Sequence, residues 1–385
     1  MLVRLLRPLL LGISLLSINT AHAAESTHFF TVSPPVLPAK AYVLMDADSG
    51  QVLAEKNMHL RLPPASLTKL MTLYVASCGI KSQQIHLDDP VLVSRTAWQR
   101  GGSRMFLKVG SRVPLREIIS GIIVASGNDA CVALAEHTAG SETAFAQLMN
   151  AAADRIGMTE SHFVDSTGLP APNHYGTAYD FAQLTQAIIN DFPEYYDWYG
   201  QKWITHNQIK QPNRNRLLWR DPSVDGLKTG HTDAAGYCLI SSAKRSNMRL
   251  ISVVLGASSD QARTQQSQTL LNFGFRQYKT SALYVANARV QTARTYLLKH
   301  KMQAFGLTAP LFLTQPRHAG SRVVVQTTLP KHIKAPIQKG KPYGELTVLV
   351  DNKPVLTRPL VALSDNPRAG FFSRFIGHLQ LWFHG

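Results

Sequence analysis

The chain has 385 residues, with 40 Lys and Arg against 24 Asp and Glu and a formal charge of +16. That length exceeds one ordinary hydrophobic core and predicts two domains. No metal-ligand cluster, Gly-rich phosphate loop or nucleotide motif occurs, so no metal and no cofactor is expected, and Cys78, Cys131 and Cys238 are too few and too irregular for a disulfide framework.

In chain order, Arg4 and Arg7 precede an apolar run from Leu9 to Ile18, and Ala21-His22-Ala23 follows as a small-x-small cleavage site. This pattern predicts a secretory signal peptide over 1–23. The run falls short of the ~20 residues that span a bilayer, and no other stretch is long and apolar enough to do so. The expected location is therefore outside the cytoplasm of a bacterial cell.

Tyr42 to Met45 and Gln51 to Ala54 flank Asp48-Ser49-Gly50 and read as two short strands about a turn. Pro63-Pro64 introduces a helix that starts near Ser66. Further helices are expected over Leu115–Ser126, Asp129–Thr138, Phe145–Ile156 and Asp180–Asn190. Strands then return over Leu227–Thr229, Tyr237–Ala243 and Arg249–Gly256, followed by a helix over roughly Gln261–Phe273. Two early strands, three late ones and an inserted helical block predict an α+β domain over 24–284, in which helices cover one antiparallel five-stranded sheet. Cys131 and Cys238 lie in apolar runs and read as small buried hydrophobes.

From about Val285 the helical period disappears, and alternating segments such as Arg322–Thr328 and Glu345–Val350 predict a small all-β domain over 285–364. From Asn287 to the end there are 14 Lys and Arg against Glu345, Asp351 and Asp365, a surplus of 11. Such a basic end suits an acidic polymer or anionic lipid. Nucleic acid is excluded as a partner by the predicted export and by the lack of interleaved aromatics. In 365–385, Phe371, Phe372, Phe375, Ile376, Leu379, Trp382 and Phe383 share one face at helical spacing. An amphipathic helix lying in the plane of an anionic membrane surface is expected there, the alternative being a helix docked on its own protein.

Three short motifs carry the chemistry: Ser66-Leu67-Thr68-Lys69, Ser126-Gly127-Asn128 and Lys228-Thr229-Gly230. One S-x-x-K match arises by chance about once in a chain this long, so order and context give it value. A spacing of three puts Ser66 and Lys69 on one helix face, as nucleophile and base; the plain alternatives are an N-cap serine and a solvated lysine. A free lysine titrates near ~10.4, so a lysine base near neutral pH needs roughly 4 kcal/mol of bias from burial and a second cation. Lys228, on the strand across the cleft, is the expected second cation. Ser126 and Asn128 could cap a helix or serve as proton relay and substrate-amide ligand. Lys228 to Gly230 offers a cation for a carboxylate, a hydroxyl, and a glycine that permits close approach.

Together with Pro63-Pro64-Ala65, Asp129-Ala130, Asn213-Arg214-Asn215 and Val224-Asp225-Gly226-Leu227 through His231-Thr232, these motifs make the chain resemble the low-molecular-mass penicillin-binding proteins that act as D-alanyl-D-alanine carboxypeptidases. The resemblance covers the chain after the leader and implies a β-lactamase/transpeptidase-like fold. It also implies an acyl-enzyme on Ser66 with peptidoglycan stem peptides as substrate and β-lactams as covalent inhibitors. The oxyanion would lie between the backbone N–H groups of Ser66 and His231. Lys228 and Thr229, with Arg263 and Arg214, would receive the substrate carboxylate. The implied location is the periplasmic face of the inner membrane.

Rival readings are a D,D-endopeptidase, a weak β-lactamase, and a non-catalytic envelope protein that binds peptidoglycan or membrane. A class A β-lactamase needs a deacylating glutamate. Glu160 alone is near the right region, in an unlike context.

Overall fold

The computed structural model describes residues 33–295, 297–318, 320–333 and 335–371. The predicted leader over 1–23 and all of the apolar tail face beyond Phe371 lie outside the described residues. Strands β1 (Ala41–Asp46) and β2 (Val52–Lys56) open the chain. A helical block follows: α1 (Thr68–Lys81), α2 (Arg95–Gln99), α3 (Leu115–Val124), α4 (Asn128–Ala139), α5 (Glu142–Ile156), α6 (Ala178–Asp191), α7 (Pro193–Tyr196) and α8 (Leu217–Arg220). Two small hairpins interrupt it, β3 (Pro90–Leu92) with β4 (Arg112–Pro114) and β5 (Trp203–His206) with β6 (Ile209–Pro212). Strands β7 (Val224–Thr232), β8 (Gly236–Arg245) and β9 (Met248–Ala257) complete the first domain with α9 (Asp260–Gln277).

The early and late strands share one five-stranded antiparallel sheet, in the order β2-β1-β9-β8-β7. Leu250, Val254 and Leu239 on one face pack with Leu270 and Leu271 of α9. On the other face, Val43, Ile240, Ile251 and Val253 meet the helical block. Fully burying such a side chain contributes about 1.5–3 kcal/mol, so both faces of the central strands hold the sheet in place. Within the block, α4 is enclosed because Ala130 to Ala135 are apolar, mostly small, and wholly buried. Helices α5, α6 and α9 start before the expected positions because side-chain caps extend them, whereas α3, expected to reach Ser126, ends at Val124 because Ser126 is left-handed. Ser141, Thr177 and Ser259 accept from backbone N–H groups at the starts of α5, α6 and α9.

Sheet order places β7 at an edge, where its outer side faces the start of α1. Gly230 makes that approach possible: a Cβ there would lie 3.2 Å from Pro64 O and 3.3 Å from the Ala65 Cβ. The close approach expected of this glycine is thus to the turn bearing Ser66.

The all-β domain consists of β10 (Tyr278–Tyr284), β11 (Arg289–Arg294), β12 (Met302–Gly306), β13 (Leu311–Pro316), β14 (Val323–Thr328), β15 (Pro342–Val350) and β16 (Lys353–Ala362). It has a five-stranded sheet of order β11-β12-β16-β15-β14, and β10 pairs with β13. Its core is small, built on Phe305, Leu313, Leu346, Val348 and Leu360. Hydroxyl bonds join it to the first domain: Thr280 Oγ1 donates to Asp46 Oδ2 at 2.6 Å, and the Ser49 and Thr314 hydroxyls lie 2.7 Å apart. Asn366 and Arg368 bridge back onto this domain. Among the described residues, no helix is long and apolar enough to cross a membrane.

Candidate active site

Ser66 lies in a 3-10 turn, Ala65–Leu67, that leads into α1. Its hydroxyl is not a helix cap, and Lys69 Nζ donates to Ser66 Oγ at 2.9 Å. The same ammonium donates to the Thr167 carbonyl at 2.6 Å. Lys69 is fully enclosed, at 0% exposure. Burial pushes it below its ordinary lysine value; Cys131 and Asp165 oppose that shift and Arg214 adds to it.

Ser126 occupies the turn between α3 and α4 with φ of 58°, a left-handed conformation that costs a non-glycine residue about 1–3 kcal/mol. The cost turns its hydroxyl into the cleft, where Lys228 Nζ donates to Ser126 Oγ at 2.9 Å and to the Thr229 carbonyl at 3.0 Å. Lys228 is 2% exposed. Burial, then Lys69, then Arg214 hold it well below the ordinary lysine value. Repulsion between the two enclosed amines is mutual, so charge on either one disfavours charge on the other. Arg214 adds to the lowering of both lysines.

Asn128 begins α4 without capping it. Its Nδ2 donates to the Gly101 carbonyl at 2.7 Å, while its buried Oδ1 has no donor among the described residues. The segment from Gly101 to Leu107 is clamped over this helix start. Ser103 O accepts from Asn128 N at 2.7 Å, and the Asp129 carboxylate accepts from Met105 N and Leu107 N.

Sequence reasoning missed the support beneath Lys69. Asp165 accepts from Thr167 N, Thr167 Oγ1 and Gly168 N, and lies 3.3 Å from His174 Nδ1. His174 Nε2 lies 3.0 Å from Thr68 Oγ1 in α1. Burial opposes ionisation of Asp165, but the bonds from His174 and Thr167 outweigh it and hold the carboxyl below the usual carboxylate range. The Thr167 carbonyl that meets Lys69 is thereby fixed. Gly168 (φ +82°) closes the turn where a Cβ would overlap the Ala65 carbonyl, 1.7 Å away. Asp165-Ser166-Thr167-Gly168 carries the local signal, since Asp and Thr bonding to nearby backbone mark such turns.

Two hydroxyl–amine pairs, Ser66 with Lys69 and Ser126 with Lys228, thus make up the site. Comparison with known proteins decides its context. The family described as D-alanyl-D-alanine carboxypeptidase, peptidase S11, matches residues 28–259. The chain belongs to that family. A second family, the C-terminal domain of penicillin-binding protein 5, matches residues 278–368. D-alanyl-D-alanine carboxypeptidase DacC of Escherichia coli (strain K12) is 41% identical over 373 residues, covering 95% of this chain and 92% of that protein. DacF of Bacillus subtilis (strain 168) is 37% identical, covering 96% of each. The crystal structure of penicillin-binding protein 5 from Haemophilus influenzae superposes with a TM-score of 0.82 at 39% identity, covering 88% of this chain and 100% of that one. The chain is accordingly a serine-type peptidase of the carboxypeptidase family.

Within this S11 site the two arginines have different surroundings. Arg214 is exposed, and its Nη1 donates to Ser103 Oγ at 2.7 Å. Arg263 is buried, with Nε and Nη2 on Asp260 Oδ1 and Nη1 on the carbonyls of Gly230 and Cys238 at 3.0 and 3.2 Å. The guanidinium thus ties α9 to β7 and β8. His231 is exposed, with its ring against Tyr237 at 4.0 Å between centroids. Glu160 lies 2.5 Å from His59 Nδ1. All three cysteines are free, and burial pushes the thiols of Cys131 and Cys238 up to about 12 and about 11.

Proposed function

We propose that this S11 peptidase removes the terminal D-alanine from peptidoglycan stem peptides through an acyl-ester on Ser66. The observation that carries the reading is the enclosed Lys69 Nζ at 2.9 Å from Ser66 Oγ, a lysine held below its ordinary value and within proton-transfer reach. Ser66 Oγ attacks the carbonyl carbon between the two D-alanines, and its proton passes to neutral Lys69. Backbone N–H groups of Ser66 and His231 receive the oxyanion, a contribution of about 2.7–4 kcal/mol per donor in comparable sites. The C–N bond breaks as Ser126 relays a proton to the leaving amine. Water then attacks the ester as Lys69 takes its proton; the bond from the acyl carbon to Ser66 Oγ breaks, and Lys69 returns the proton to Ser66 Oγ.

The substrate's free carboxylate supplies the anionic partner that Lys228 lacks among the described residues. Its arrival favours ammonium on Lys228 and leaves Lys69 as the neutral member. Thr229 and Arg214 complete the carboxylate site, and Arg263 acts through the strand that it holds. Asn128 Oδ1 suits the N–H of a substrate amide. A recess of about 360 Å³ beside Ser66, bounded by Pro63, Pro64, Leu169 and Pro172, suits the acyl side of the peptide. Glu160 is engaged by His59, which favours a peptidase over a β-lactamase with a glutamate-activated water. For location, the apolar face of Phe371 to Phe383 and the basic segment before it support an exported enzyme held on the periplasmic membrane surface.

Mass analysis of the penicillin-treated protein tests the nucleophile. One penicilloyl adduct on the peptide containing Ser66 is expected, and Ser66→Ala should abolish it. Undiminished labelling of that variant would remove Ser66 from the mechanism. Release of free D-alanine from a pentapeptide, with a cross-linked dimer left intact, separates carboxypeptidase from endopeptidase.

A further inference from the structure

The junction of the two domains gathers cations that the peptidase reaction does not use. Arg245 from the end of β8, Arg276 from the last turn of α9, Lys279 from β10 and Arg317 just after β13 line one recess of about 470 Å³. No carboxylate lines it. Asp221 offsets one charge through Arg245, at 2.8 Å. Arg276, Lys279 and Arg317 form no ion pair among the described residues.

Two of the guanidiniums are set in place by neutral partners. Arg317 Nε donates to the Phe275 carbonyl at 3.0 Å. Arg245 lies 4.5 Å over the Phe275 ring and donates to Asn272 Oδ1 at 3.0 Å and Ser223 Oγ at 3.1 Å. Phe275 is thus a common post for both. Planar donors already held in position lose little freedom on meeting a ligand, and their forks match tetrahedral oxyanions. Along α9 the recess is about 18 Å from Arg263, which reaches β7, so a peptide in the catalytic cleft does not fill it.

The geometry points to a binding site for a phosphate ester carrying at least two negative charges. One carboxylate would neutralise a single cation and leave the other uncompensated charges repelling one another, whereas a phosphate carries close to two charges at neutral pH and presents several acceptor oxygens. The volume admits the group together with part of the molecule bearing it. Two sources share this chemistry, a soluble phosphate ester and the headgroup of an anionic lipid.

Titration calorimetry of the full chain with inorganic pyrophosphate is the test. A saturable site is expected, weakening as salt rises. The double variant Arg276→Gln, Lys279→Gln should lose roughly a hundredfold in affinity, about tenfold for each charged bond removed. Its penicillin acylation rate should be unchanged, which shows that the variant is folded. Absence of saturable heat in the wild type, or equal affinity in the folded double variant, overturns the proposal. Phosphatidic acid vesicles that displace pyrophosphate, where phosphatidylcholine vesicles do not, identify the headgroup source; retention of pyrophosphate identifies the soluble one.

Discussion

The catalytic domain and the β domain use cations in opposite ways. In the first, Lys69 and Lys228 are withdrawn from water at 0 and 2% exposure, and enclosure moves both below their ordinary values. In the second, every described Lys and Arg beyond Asn287 is exposed. Buried amines become poised proton carriers because desolvation disfavours their charge. Exposed ones keep full charge and act through a screened field with a reach of about 10 Å. Net charge alone conceals this division. The same kind of side chain is pushed toward neutrality in one domain and kept as a cation in the other.

The largest effect that sharpens the comparison is at Lys69. Lys69→Ala removes the proton acceptor and is expected to slow penicillin acylation by about 10²- to 10⁴-fold, as loss of a general base does. Stopped-flow acylation kinetics measure it. A loss smaller than tenfold would mean that another group takes the Ser66 proton.

Legibility in the sequence followed the range of the interactions. Ser66 and Lys69 are one helical turn apart, and Lys228 to Gly230 form three successive residues of a strand, so residue type and spacing locate them. That two early and three late strands share one antiparallel five-stranded sheet was legible from their grouping around a helical block; their order was not. The supports of the site were not legible. Asp129 holds Met105 and Leu107 across more than 20 positions, and His174 reaches Thr68 across 106. Backbone acceptors such as Thr167 O carry no residue-type signal. The relative titration of Lys69 and Lys228 was hidden for a further reason: it depends on how completely each is enclosed and on where Arg214 falls.

A second test separates the domains. A chain ending at Ala369 loses the apolar tail face but retains the bonds by which the end of the chain joins the β domain, including Ala369 N to Leu297 O at 3.0 Å. Its partitioning onto anionic vesicles should fall by roughly 10²-fold or more, given about 1 kcal/mol for each apolar side chain half-buried at an interface. Penicillin acylation should be unchanged. Sedimentation with vesicles equal to that of the full chain would refute the membrane role of the tail.

The smallest effect lies where the two uses of charge meet. Arg214 is exposed like the β-domain cations, yet it lowers Lys69. Arg214→Gln removes that influence, so the folded Lys69 value rises toward its ordinary one. Lys69 must be neutral to act, and a higher value keeps it protonated to higher pH. The acid limb of the acylation rate should therefore move to higher pH, with the plateau reached later. Solvent screens an exposed guanidinium, so the loss of rate on the plateau is expected to stay below about tenfold. Penicillin acylation followed from pH 5 to 9 separates the two consequences: loss of a carboxylate contact lowers the whole profile, whereas loss of the field displaces its limb. A limb that stays in place, or moves to lower pH, would show that Arg214 does not lower Lys69 and serves only the substrate carboxylate.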